Sequence, residues 1–138
     1  MASQIFDSAV DKEARGLIDY DTDSFKAMLV TSAYVPNKGT HIFRSDVTNE
    51  VSGTGYTAGG IACAVTVTKD TANHKVTIQF GAVSWASSTI TARGVVYYKS
   101  RSGASSADEV VSYADFGSDV ISNNTTFSVS AATITKQN

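Results

Sequence analysis

The sequence holds one cysteine, one proline, two histidines and few charges, and each scarcity removes a class of protein. A single thiol, Cys63, excludes an internal disulfide. Its neighbours Ile61, Ala62, Ala64 and Val65 read as core, whereas a nucleophilic thiol needs a base or an electropositive setting. A chain without disulfides fits synthesis in a reducing cytosol. His41 and His74 stand apart, each without a neighbouring Cys, Glu or second His. A zinc site needs three or four ligands, so turn or surface roles are expected for both, and no metal or cofactor is expected. Eleven basic residues against thirteen acidic ones leave a net charge of −2, with no basic run. Phosphate-backbone binding requires such a run, so nucleic acid is not an expected partner. No stretch approaches the ~18 consecutive apolar residues of a membrane helix, and no membrane partner is expected. The start, Met1 to Asp7, lacks the basic and apolar regions of a signal peptide.

Serine, threonine, valine and alanine fill the composition, and β-branched and small hydroxyl side chains suit a pleated surface better than a helix. Only the beginning has helical spacing: Phe6, Val10, Ala14, Leu17 and Ile18 recur at three and four, with Asp11, Lys12, Glu13 and Arg15 facing away. This predicts a short helix over 8–15, started by Asp7 or Ser8 and ended by Gly16. After the turn-forming Asp19–Ser24 the period changes to two. Strands are expected over Phe25–Thr31, Ile61–Thr68, Val76–Phe80, near Val83 and Trp85, and over Ile90–Lys99, Val110–Phe116 and Thr126–Ala131. The centre of Ile90–Lys99 is apolar on both faces, as in a strand covered from both sides. A phase change near Ala131, where Ile134 takes over, predicts a bulge or bend. One helical turn is expected within 40–47, and the four glycines of Glu50–Gly60 predict a long loop, mobile or unusually shaped. The expected architecture is mainly β: one domain over residues 1–138, a β-sandwich or jelly roll of seven to eight strands with a short N-terminal helix.

Candidate chemistry fails on specific missing residues. Asp19-x-Asp21-x-Asp23 opens like a calcium loop, but Ser24 and Val30 occupy the positions that need Gly and Glu. Gly53-x-Gly55 is followed by Ala58 where a dinucleotide loop needs glycine, and there is no phosphate-loop lysine. No G-x-S-x-G elbow exists. Asn123 and Asn124 match a glycosylation acceptor but sit in a polar turn. Trp85, Tyr97, Tyr98 and Tyr113 could form a sugar platform, though aromatics on alternating strands are more often core. No catalytic residue is assigned, and a non-enzymatic protein is expected.

A more specific signal is carried by Leu29–Pro36, Thr40-His41, Ser45-Asp46-Val47 and Glu50–Gly60. With Trp85, Thr89–Arg93 and Asp115–Asp119, they resemble the capsid cement (decoration) proteins of tailed bacteriophages, in consistent order from about residue 5 to 130. The C-terminal Thr133–Asn138 departs from that pattern. The resemblance implies a jelly-roll subunit, made in the host cytoplasm and seated on the outer surface of the virion head. There it would tie neighbouring major capsid proteins together, as a homodimer and without catalysis. A tail or head–tail connector subunit and a carbohydrate-binding sandwich are the alternatives. Candidate contact residues are Ile5 and Phe6 in the N-terminal segment, Tyr56 in the glycine loop and Arg101 in the polar loop 100–107. Val95 and Tyr97 join them on a strand whose apolar faces fit either a dimer interface or two-sided burial.

Overall fold

The computed structural model describes residues 2–138. Among them, strand β1 (Ala2–Ile5) leads into helix α1 (Asp7–Ala14) and then β2 (Phe25–Val30). A long connection over residues 31–60 precedes β3 (Ile61–Cys63), β4 (Val65–Asp70), β5 (Lys75–Phe80) and β6 (Val83–Ser88). The chain continues through β7 (Thr91–Lys99), β8 (Val110–Ile121), β9 (Thr125–Val129) and β10 (Ala132–Gln137). The protein is mainly β, with one short N-terminal helix and antiparallel sheets that do not close into a barrel.

The first layer is a five-stranded sheet in the order β1-β8-β7-β2-β3. The second is built on a long ribbon. Phe80 lies opposite Ala132 and Val83 opposite Val129, so β5–β6 and β10–β9 keep one register through the kink between them. β4 completes this layer along β5. Residues 61–70 belong to both layers, with only Ala64 between β3 and β4, and they fold one flank of the sandwich shut.

β7 sits in the middle of the first sheet and reads as the sequence predicts. Val95 and Tyr97 enter the core between the layers, with Leu29, Phe80, Trp85 and Phe127. Val96 and Tyr98 enter a second core on the opposite face, with Phe6, Met28, Val30, Tyr34 and Tyr113. The connection 31–60 covers that second face.

Ten strands replace the expected seven to eight, for three reasons. β1 is four residues long and lacks an alternating pattern. The run 61–70 divides between two sheets. The phase change near Ala131 is a kink with a full strand, β10, beyond it. The helix is correctly placed but presents a different face. Val10 and Leu17 are 46% and 49% exposed and Ala14 is exposed, while Ala9 is buried. Lys12 and Glu13 turn inward because partners await them: Lys12 lies 4.2 Å from the Phe43 ring centroid, and Glu13 accepts from Lys136 at 2.5 Å. No side chain caps the helix start, which has Phe6 at the N-cap position. Its end is as expected: Gly16 (φ +76°) and Leu17 donate back to the Glu13 and Lys12 carbonyls at 3.2 and 2.9 Å, the double bond of a left-handed helix stop.

Glycine is required for a different reason at Gly60. Its φ is +78°, and any Cβ there would overlap the Ala27 carbonyl. Gly16 has the same handedness with open space around it. Gly16→Ala is therefore expected to cost about 1 kcal/mol. Gly60→Ala adds overpacking against backbone and is expected to cost about 3 kcal/mol or more. Urea unfolding of the two variants measures the contrast, and equal losses would contradict it.

Candidate interaction surface

The long connection is held by side chains acting as substitute strands. The Leu29 amide donates to the Tyr56 hydroxyl at 3.0 Å, and that hydroxyl donates to Glu50 Oε1 at 2.7 Å. The Gly59 amide donates to the same oxygen at 2.6 Å, and Tyr98 donates its hydroxyl to the Gly59 carbonyl at 2.6 Å. Burial raises the Tyr56 hydroxyl far above its ordinary pKa, reinforced by the Glu50 carboxylate, so it remains a donor. Asp46 takes the Ile42 and Phe43 amides, both at 2.9 Å, and so starts the short 3₁₀ turn at Arg44–Asp46. His41 Nδ1 accepts from the Asn37 amide and stands 2.8 Å from the Tyr34 hydroxyl. The glycine loop is thus ordered as well as unusually shaped.

A charged buckle joins this connection to the loop before β8. Asp108 accepts Arg44 Nε at 2.9 Å and the Arg101 amide at 2.8 Å, while the Arg101 fork grips Glu109 at 3.1 and 2.7 Å. Lys12 comes within 4.0 Å of Glu109, and Lys99 pairs with Asp23 at 2.8 Å. Asp108 and Glu109 are buried. The Asp19–Asp23 segment bonds inward: the Asp19 and Asp21 amides donate to Asp23 and Asp19 carboxylates. Among the described residues no group of His, Cys, Asp and Glu is arranged to hold a metal ion.

The six candidate contact residues separate sharply. Phe6, Val95 and Tyr97 have no exposed area, and offer a partner nothing in the folded chain. Ile5 and Tyr56 are half-buried against the main core. Arg101 is exposed but occupied by Glu109. Trp85, Tyr98 and Tyr113 are buried too, so the aromatics expected as core are core. Cys63 is likewise buried, bonded weakly to the Gly81 carbonyl at 3.4 Å.

The two most exposed large apolar groups are not among the candidate contact residues. Val35 is 76% exposed and Ile121 70%, with Val120 beside the latter also open. They rim two adjoining shallow depressions at one end of the first sheet. Thr31, Glu50, Thr91 and Ile121 line one; Ser32, Val35, Arg93 and Tyr113 line the other. Arg93 pairs with Asp115 at 2.8 Å across an irregularity where Phe116–Asp119 bulge out of β8. A valine in a loop and an isoleucine ending a strand carry no periodic signal, so only the folded chain reveals them.

At the flank opposite residues 61–70, the edge strands β1 and β10 face each other across a cleft of about 410 Å³. Phe80, Tyr97, Ser112 and Ala114 line it, with Lys38 as its one charge. No helix of the described residues is long and apolar enough to cross a membrane. Neither a family model, nor a curated protein, nor a solved structure matches the chain.

Two measurements test these environments. Burial raises the Cys63 thiol to about 11, so iodoacetamide at mildly alkaline pH is expected to leave the native protein unmodified and to alkylate it in denaturant. Glu109 is pushed up by burial, but the Arg101 bonds and charge outweigh this and hold it below its ordinary 4.5; Asp23 is likewise held below 3.8. A lowered folded-state pKa gives stability that is complete above the unfolded value and lost as pH falls through the folded one. The unfolding midpoint is therefore expected to fall steeply below about pH 4.5, and less steeply in Glu109→Gln, which begins from a lower plateau.

Proposed function

We propose that this protein is a non-enzymatic structural subunit that binds another protein surface, and specifically a cement protein on the outside of a tailed-phage head. The observation that carries the binding half of this reading is the pair of protruding aliphatics, Val35 and Ile121, on adjoining depressions lined by Ser and Thr. Apolar groups set in a polar surround, here Ser and Thr with Glu50 and the paired Arg93 and Asp115, match the mixed composition of a protein interface. The bonds within the long connection and the charged buckle support the same reading, since they spend their polar groups on holding the surface rigid. The resemblance of Leu29–Pro36, Glu50–Gly60 and Asp115–Asp119 to phage cement proteins supplies the identity of the partner, the major capsid protein.

A cement protein strengthens a shell by binding the assembled lattice in preference to loose subunits, and many copies amplify a weak contact. Purified protein is expected to co-sediment with expanded heads at hundreds of copies per particle. Val35→Asp combined with Ile121→Asp is expected to weaken that binding at least tenfold, at about 1 kcal/mol or more for each lost apolar contact, with the fold unchanged by circular dichroism. Absence of binding to heads in every maturation state would overturn the cement reading. A copy number of six or twelve would move the protein to a connector.

A further inference from the structure

The two flanks of the sandwich are not equivalent. One is closed by residues 61–70, which run from the edge of the first sheet into the edge of the second. On the other, β1 pairs only with β8 and β10 only with β5, and their outer edges look across the cleft at each other. An unpaired edge is a row of backbone donors and acceptors ready to bond another chain, and soluble proteins usually blunt it with charge, proline or a covering loop. Along the stretches that line the cleft, Ser3–Ile5 and Ala132–Thr135, there is neither charge nor proline. Ala2–Ile5 carries no charge or proline. The one charge on β10, Lys136, is turned to Glu13. By contrast the free edge strand β4 ends in Lys69 and Asp70.

The dimensions suit one occupant. Packed sheets generally lie about 10 Å apart and paired strands about 4.8 Å, so facing edges at that ordinary spacing would admit a single added strand. Phe80, Tyr97, Ser112 and Ala114 close its floor and are themselves buried, so only small side chains directed inward would fit over them. Among the described residues the Lys38 ammonium at this cleft has no carboxylate partner. β10 offers the longer edge, with Ala132, Thr133, Ile134 and Thr135 in sequence along the cleft.

We propose that this open seam is a strand-capture site: an extended segment of a partner protein, with small apolar residues alternating inward and an acidic residue against Lys38, adds as a strand to the free edge of β10. Backbone bonds supply affinity in this mode and the alternate pockets supply selectivity. The inference rests on the protein-binding half of the reading above, but it does not need the partner to be a capsid.

Its test uses the whole protein and a displayed library of short random peptides. Enriched peptides are expected to carry an acidic residue next to an alternating apolar run. A synthesised binder is expected to slow hydrogen exchange at the amides of 132–135, and to leave those of β4 unchanged. Lys38→Glu is expected to weaken it about fivefold, the size of one exposed ion pair, and a peptide with Lys in place of its acid is expected to recover the loss. Thr133→Lys, an exposed change that places charge on the edge, is expected to abolish protection while leaving the unfolding midpoint unaltered. No enrichment, protection mapped to another edge, or binding indifferent to both substitutions would overturn the proposal. Head binding that survives both substitutions would remove the seam from the cement contact without touching the cement reading. Peptide capture without head binding would do the reverse.

Discussion

The centre of β7 has no side turned to water, and the rest of the molecule follows from that. Val95 and Tyr97 need a core on one face of the first sheet, and Val96 and Tyr98 need another on the opposite face. Completely burying side chains of this size is worth roughly 1.5–3 kcal/mol each, so neither face can stay open. The long β5–β6/β9–β10 ribbon covers the first. No sheet remains for the second, and the connection between β2 and β3 must serve.

An irregular segment used as a cover has a problem that a sheet does not: its buried amides and carbonyls lack ladder partners. Side chains solve it here. Glu50 and Tyr56 bond the Gly59 and Leu29 amides, Tyr98 bonds the Gly59 carbonyl, and Asp46 bonds two amides before the short turn. Gly60 is then forced, because the cover lies so close to β2 that the Ala27 carbonyl occupies the place of a Cβ. The charged buckle closes the edge of this lid, and it explains why α1 shows Lys12 and Glu13 to the protein and Val10 and Leu17 to solvent. Helical spacing ranks faces by apolarity alone; here the Phe43 ring and the charges of Glu109 and Lys136 outweigh it.

The same distinction separates what could be read in the sequence from what could not. β7, the β4–β5 hairpin and the left-handed stop at Gly16 were legible, because each is fixed by local pattern or local backbone chemistry. The burial of Cys63, Trp85 and Tyr113 was legible from period two. The division of residues 61–70 between layers was not, since both halves carry the same alternation and only the packing of the second layer decides where one sheet ends. β1 is too short to show a pattern. Among candidate contact residues, Phe6, Val95 and Tyr97 were chosen for apolarity, which is the property that buries them. Val35 and Ile121 were missed because exposure of a single aliphatic leaves no periodic trace.

This arrangement bears on what kind of work the protein can do. Tyr56, Asp108 and Glu109 are bonded to structural partners and hold loops in place, whereas the enclosed Tyr97 hydroxyl has no hydrogen-bond partner among the described residues. The bonds of Tyr56, Asp108 and Glu109 make the cover over the second core rigid. At the surface two kinds of group keep capacity for contact: aliphatic side chains at one end of the first sheet, and backbone edges along one flank. Both are satisfied by a second polypeptide, the first by contact area and the second by strand pairing. On the reading proposed above, a sandwich held rigid from within and open at these two places would hold other chains together.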